Sequence, residues 1–393
     1  MIKLASDTIN RADIDALCEW LQQDPTPRLT KGELTVELEH KWANKIGTKH
    51  SVFVNSGSSA ILLLLATLKE LKKLKNDKIV VPALSWLTDV SSPMLLGMTP
   101  ILCDSNDEDL SVDLDMLEDI FKTDSPAAFM GVSVLGLVPD VNSIKTLCDK
   151  YDVIYLEDNC ESMGSKTGDE YLGTFGLASV FSMYYGHHLS TIEGGFINTN
   201  DTSLYHGLLM MRSHGWDRDL PKSRQQELRA DFGVDEFQGL YTFYMAGMNV
   251  RSTDLQAFLG IRAIDKLDEY AEARFKNFTL YNSMIQCNEL NIVQEDWDYT
   301  SNFAYPVINE HRNNIVDELR EANIECRPLI AGNMANKPFW KVKYETPSLP
   351  LCERIDEFGF YLPNHQDLTT EEIKKVCNIV NSYGKKRSTN NGN

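Results

Sequence analysis

The stretch Ser179-Val-Phe-Ser-Met-Tyr-Tyr-Gly-His187-His188-Leu-Ser-Thr-Ile-Glu193-Gly194-Gly195 passes from an apolar run, through two adjacent histidines, to paired glycines. With Ala178 at its head, the apolar run reads as a buried strand, so both histidines lie just beyond a strand's carboxyl end. Similar short runs come upstream: Ser51 to Val54, Ile79 to Val81, Pro100 to Cys103, Ala127 to Leu135 and Val153 to Leu156. Longer stretches of helical pattern separate them, the clearest from Ser59 to Lys75. Strands alternating with helices predict an α/β fold whose central, mostly parallel sheet is covered on both faces. In such a sheet ligands bind beyond the carboxyl ends of the strands. The histidine pair falls there, and imidazole is the side chain that moves protons near neutral pH.

The 393 residues suffice for a large domain over 1–250 and a smaller C-terminal α/β domain over 251–385. Within these, 252–285 predicts a long helix or a helix pair, and the polar segment 221–237 an exposed loop or lid. The tail at 386–393 has no apolar residue and is expected to be disordered. A net charge of −19 argues against nucleic acid and anionic membrane as partners. The one internal lysine group, Lys72-Lys73-Leu74-Lys75, is assigned to the polar face of a helix. Eight scattered cysteines with no Cys-x-x-Cys pair predict free thiols and no metal site. The start lacks the pattern of a signal peptide, and no apolar run is long enough for a bilayer. A cytoplasmic enzyme is the expectation.

Three segments carry candidate chemistry. Asn55-Ser56-Gly57-Ser58-Ser59 joins a strand to a helix, so its amides can cradle a phosphate at the positive helix end, with Gly57 allowing close approach and Ser58 or Ser59 adding a hydroxyl. An ordinary helix cap reads the same way. Trp86, just after the second strand, can stack on a planar ring or simply pack in the core. Leu156-Glu157-Asp158-Asn159-Cys160-Glu161 sets carboxylates beyond a buried strand, a costly place unless they are paired or functional. A helix-capping role for these acids stays open.

Together these segments resemble the DegT/DnrJ/EryC1/StrS family of sugar aminotransferases over nearly the whole chain. The resemblance implies the fold-type-I, aspartate aminotransferase-like architecture of enzymes dependent on pyridoxal 5'-phosphate (PLP). In that family a Phe-Ser-Phe-x-x-x-Lys run carries the lysine that bonds to the cofactor. Here Phe181-Ser182-Met183 opens the frame and His187 fills the lysine position; no lysine occurs between Lys166 and Lys222. The resemblance assigns Asp158 to the ring nitrogen, Glu161 to the ring hydroxyl, and Gly57, Ser58 and Ser182 to the phosphate. Gly247-Met-Asn249-Val-Arg251 is similar to a family segment whose asparagine reaches the phosphate in the neighbouring subunit, which implies a homodimer with shared sites.

The histidine pair resembles a subgroup of nucleotide-sugar dehydratases, of the type without an iron–sulfur cluster. This likeness implies a lyase of deoxysugar biosynthesis, with lipopolysaccharide O-antigen as its setting. By the same resemblance, pyridoxamine 5'-phosphate (PMP) is held without a covalent tether, and His187 moves the proton as the C3 hydroxyl leaves a nucleotide-linked 4-keto-6-deoxy sugar. L-Glutamate then renews the amine. His188 is the alternative base or a substrate contact, and His214, Arg251 and Arg327 are further candidate substrate contacts; salt bridges are the alternative for both arginines. An aminotransferase lacking the lysine and a cofactor-binding pseudoenzyme are the rival readings.

Overall fold

The computed structural model describes residues 1–384; the tail at 386–393 lies outside the described residues. In chain order the strands are β1 (His50–Val54), β2 (Lys78–Pro82), β3 (Thr99–Cys103), β4 (Ala128–Val132), β5 (Ile154–Asp158), β6 (Lys166–Thr167), β7 (Glu170–Tyr171), β8 (Ala178–Ser182), β9 (Gly195–Thr199), β10 (Asp298–Tyr299), β11 (Ala304–Ile308), β12 (Arg327–Pro328) and β13 (Gly359–Pro363). Seven form the main sheet in the order β1-β9-β8-β5-β4-β2-β3. Strands β8, β5, β4, β2 and β3 are mutually parallel, and β9 runs antiparallel to both of its neighbours. Every residue of β4, β8 and β9 is buried, as a sheet covered on two faces requires.

The helix Gly57–Glu70 shows how local sequence sets this pattern. Ser56 caps it by accepting from the Ser59 amide, and Ala60, Ile61, Leu63, Leu64, Leu65 and Leu68 are buried along it. Each such leucine or isoleucine contributes roughly 1.5–3 kcal/mol relative to exposure. The helix stops at Leu71, and Lys72 takes a left-handed φ of 53°. The lysine group assigned to its polar face therefore lies past its end. Lys73 instead pairs with Asp201 at 2.7 Å, and Lys75 reaches the Tyr151 carbonyl.

The 221–237 segment also departs from expectation. It contains a helix, Lys222–Phe232, closed by Gly233 in the left-handed region at φ 64°. Its buried residues are Gln225 and Leu228 alone, too few to show an apolar period. The 252–285 region is two helices, Asp254–Ile264 and Leu267–Met284.

A second sheet, β11-β13-β12, is antiparallel throughout and packs with helices Arg312–Glu321, Pro350–Phe358 and Thr370–Asn381. One apolar cluster runs from Val52 through Phe278 to Val380, so the two sheets share a continuous core. Behind β8 lies a second cluster, where Trp42 stacks on Phe196 at 5.0 Å and meets Phe181 edge-on at 5.2 Å. It backs the turn that carries the histidines. Among the described residues no helix is long and apolar enough to cross a membrane, and all eight cysteines are free thiols.

Candidate active site

The carboxyl ends of β1, β2, β4, β5 and β8 open on one cleft of about 420 Å³. Gly57, Ser58, Trp86, Asp158, Glu161, Ser182 and His187 all line it, joined by Tyr184, Phe303 and Tyr361.

Gly57 begins its helix at the point where β8 comes closest. A Cβ there would stand 2.9 Å from both Cys160 Sγ and Ser182 Cβ, so only glycine fits. Gly195 opens the antiparallel β9, where a Cβ would meet the Ser56 carbonyl carbon at 2.5 Å. The glycine pair thus lets the histidine turn close down on the helix start. Ser58 is exposed at the cleft, while Ser56 spends its hydroxyl on the cap. Trp86 is 57 % exposed, so its indole is an open platform rather than a core residue.

Strand alternation turns Glu157 away from the cleft and Asp158 toward it, and Glu161 joins Asp158 from the loop beyond β5. Glu157 accepts from the amides of Gly173, Phe175 and Gly176 at 2.7–2.8 Å and closes that loop; burial raises its carboxyl to about 7. Asp158 faces the cleft, 4 % exposed, and accepts from the Cys160 amide at 2.9 Å. Glu161 accepts from the Leu135 amide at 2.8 Å, and burial pushes it up to about 8. That amide is aimed by an unusual backbone: Leu135 has φ 51°.

The two histidines diverge. His187 lines the cleft, with Phe303 at 5.3 Å and Tyr184 at 6.1 Å between ring centroids. Its Nδ1 is buried without a hydrogen-bond partner, and burial with the nearby Arg274 charge lowers the ring to about 4. At neutral pH the ring is uncharged, the form that accepts a proton. His188 is fully buried outside the cleft, its Nε2 2.8 Å from the Ser301 carbonyl. The turn is held by Met183 N–H to Gly194 O and Thr191 N–H to Met183 O, at 2.9 and 3.0 Å.

The structure does not bring the remaining candidates into this cleft. Asn249 is exposed, its Oδ1 accepting from Arg251 Nε at 3.0 Å. His214, with φ 62°, lies edge-on to Trp216, whose ring is 5.9 Å from the Arg251 guanidinium. Arg327 is exposed on β12 and borders a separate depression, directly opposite the cleft residue Tyr361. Neither arginine forms a salt bridge among the described residues.

Residues 8–381 match the model of the DegT/DnrJ/EryC1/StrS aminotransferase family. The chain belongs to that family. It is 34% identical over 388 residues to GDP-4-keto-6-deoxy-D-mannose 3-dehydratase of Yersinia pseudotuberculosis, covering 96% of this chain and 97% of the relative. A crystal structure of GDP-4-keto-6-deoxymannose-3-dehydratase, a histidine-to-asparagine mutant with bound GDP-perosamine, superposes with TM-score 0.87 and 32% identity over 97% of this chain and all of that one. A second structure of that enzyme, with a trapped PLP-glutamate geminal diamine, gives the same TM-score, identity and coverage. These family members carry the aminotransferase fold seen here.

Sequence reasoning missed several residues of the site. Phe303 and Tyr361 reach it from distant segments, while Tyr184 stands three residues before His187. Arg274, 1 % exposed, donates to the Phe303 carbonyl at 3.1 Å and holds that ring against His187. Asp89 lies behind the floor, against Asp158. Of these, only Tyr184 stands near a motif.

Proposed function

We propose that this protein is a PLP/PMP-dependent dehydratase that removes the C3 hydroxyl of a nucleotide-linked 4-keto-6-deoxy sugar, GDP being the nucleotide its relatives favour. The observation that carries this reading is His187: an uncharged imidazole lines the cleft, and among the described residues no lysine does.

The cleft suits the cofactor. It offers a helix start that only glycine can form, an exposed indole and a buried carboxylate in want of a cationic partner. When bound, the cofactor supplies an amine that joins a keto carbon and a ring that stores an electron pair. The amides of Gly57 and Ser58, with the Ser182 hydroxyl, hold its phosphate. Trp86 covers a ring face, Glu161 meets the ring hydroxyl, and Asp158 keeps the ring nitrogen protonated. His187 accepts a proton at its imidazole and, once charged, donates to the departing C3 oxygen. An anionic ligand in the cleft draws the His187 value upward from about 4, toward the range where such exchange is efficient.

L-Glutamate renews the amine form. The protein acts as a homodimer, in which the exposed Asn249 of each subunit reaches the phosphate site of the other. The exposed Phe237, Tyr241 and Phe243 around it support a buried contact there. Arg251 and Arg327, free of carboxylates among the described residues, take the diphosphate oxygens, with His214 alongside.

Purified protein incubated with PMP, L-glutamate and GDP-4-keto-6-deoxymannose should yield a 3-deoxy sugar without retained nitrogen, read by mass spectrometry. A stable 4-amino sugar as main product would mean an aminotransferase. Cofactor binding without turnover of any keto sugar would mean a pseudoenzyme.

A further inference from the structure

Asp89 sits in the first turn of the helix Leu87–Leu95, 1 % exposed, just outside the wall of the cleft. Neither of its buried carboxylate oxygens meets a hydrogen-bond donor. The Asp158 carboxyl nevertheless stands within hydrogen-bond reach, with the Trp86 amide the other polar group nearby. The two facts are compatible in one way. A pair of carboxylates has four acceptor oxygens and no donor, so the contact is repulsive until one acid takes a proton and becomes the donor.

Other surroundings point the same way. Asp158 and Glu161 act on Asp89 as like charges, and the Cys160 thiol lies beside all three. The helix Gly57–Glu70 and strands β2 and β3, which pack on its helix, contribute no charge of comparable weight. A helix start favours an anion, but burial and two neighbouring acids oppose it. Asp158 already has the Cys160 amide, which suits the ionised form. Asp89 has only the Trp86 amide nearby, with no hydrogen bond joining them, so the proton belongs on Asp89.

We propose that Asp89 and Asp158 share a single proton behind the cleft floor, with Asp89 as the neutral acid whose O–H orients the Asp158 carboxylate and moderates its basicity. Asp89 is thus a positioning residue, acting through Asp158. The shared proton stands independently of any ligand; its effect on a pyridine ring rests on the function proposed above.

The first test needs no cofactor. Infrared difference spectra of full-length apoprotein at pH 7, wild type against Asp89→Asn, should show loss of a protonated-carboxyl carbonyl band. Glu157 and Glu161, common to both proteins, cancel. Thermal denaturation against pH supplies the second readout. A carboxyl whose folded value is raised gives stability that is complete below its unfolded value and is lost as pH rises toward the folded one. Wild type should therefore lose stability relative to Asp89→Asn as pH climbs above about 4. Superimposable pH curves with no missing band would overturn the proposal.

The third readout is PMP affinity, followed by quenching of tryptophan fluorescence. Asp89→Asn, which keeps a neutral donor, should stay within about threefold of wild type, whereas Asp89→Ala should bind about tenfold more weakly. Equal weakening in both would reduce Asp89 to a packing residue. If Asp89→Ala does not fold, the two Asp89→Asn readouts still decide the matter. Failure of wild type to bind PMP would sink the functional reading and leave the infrared result standing.

Discussion

Two groups of buried charge lie on either side of β1 and β8, and they are built to opposite rules. Arg212 is fully buried, paired to Glu39, to Asp219 at 3.1 Å and to the Phe53 carbonyl at 2.8 Å, with Lys31 closing on Asp219 at 3.0 Å. Burial alone would lower the arginine, but its two carboxylates outweigh that and hold it above its ordinary value. Asp89 and Asp158 are almost as deeply buried and Glu161 is half-buried; among the described residues no cation pairs with them, and burial raises all three. A buried charge costs several kcal/mol unless paired. The chain balances the first group internally. The second it leaves acidic, beside an open indole and an uncharged imidazole, for a cationic ligand to complete.

The largest effect that sharpens this contrast should come from His187→Asn. Turnover should drop by about 10²–10⁴ while PMP affinity and Tm stay close to wild type, because the phosphate and ring contacts lie elsewhere. Full activity in this variant would remove His187 from the chemistry. Next, Arg212→Met should cost about 3–5 kcal/mol of stability by stranding Glu39 and Asp219, read by denaturant titration. The kcat of the protein that remains folded should not change; a selective loss of kcat would break the contrast from the other side.

A smaller effect of opposite sign is expected from Asp158→Asn. Removing a buried carboxylate that no cation balances should stabilise the apoprotein at neutral pH by about 1 kcal/mol while weakening cofactor binding. Apoprotein and holoprotein melting curves measure both. The smallest effect concerns pH. His187 has a folded value near 4 against an ordinary 6.5, so its neutral form gives stability that is present above 6.5 and lost as pH falls toward 4. The apoprotein Tm of His187→Asn should therefore fall less steeply across that window. Parallel curves would mean that the ring titrates normally.

Much of the site was legible because its residues follow strand ends in sequence. Gly57, Trp86, Asp158, Ser182 and His187 each come within about five residues of a short apolar run, and a parallel sheet gathers such ends at one edge. The antiparallel β9 escaped notice because Gly195-Phe-Ile-Asn-Thr199 is brief and begins with the glycines of the turn. The helix at 222–232 escaped because it buries a single leucine. Asp89 and Arg212 were out of reach for a different reason: each owes its state to partners far along the chain, and such pairings leave no local period. The choice between His187 and His188 needed the backbone, which turns one ring to the cleft and the other to Ser301.

That last contact ties the histidine turn to the segment just ahead of the C-terminal sheet. His188 grips the carbonyl two residues before Phe303, and Phe303 in turn rests on His187 just ahead of β11. The packing of the His187 ring is therefore shared with the segment that leads into the C-terminal sheet. Residues 300–302 do not line the cleft and can reach that ring only through Phe303, which does.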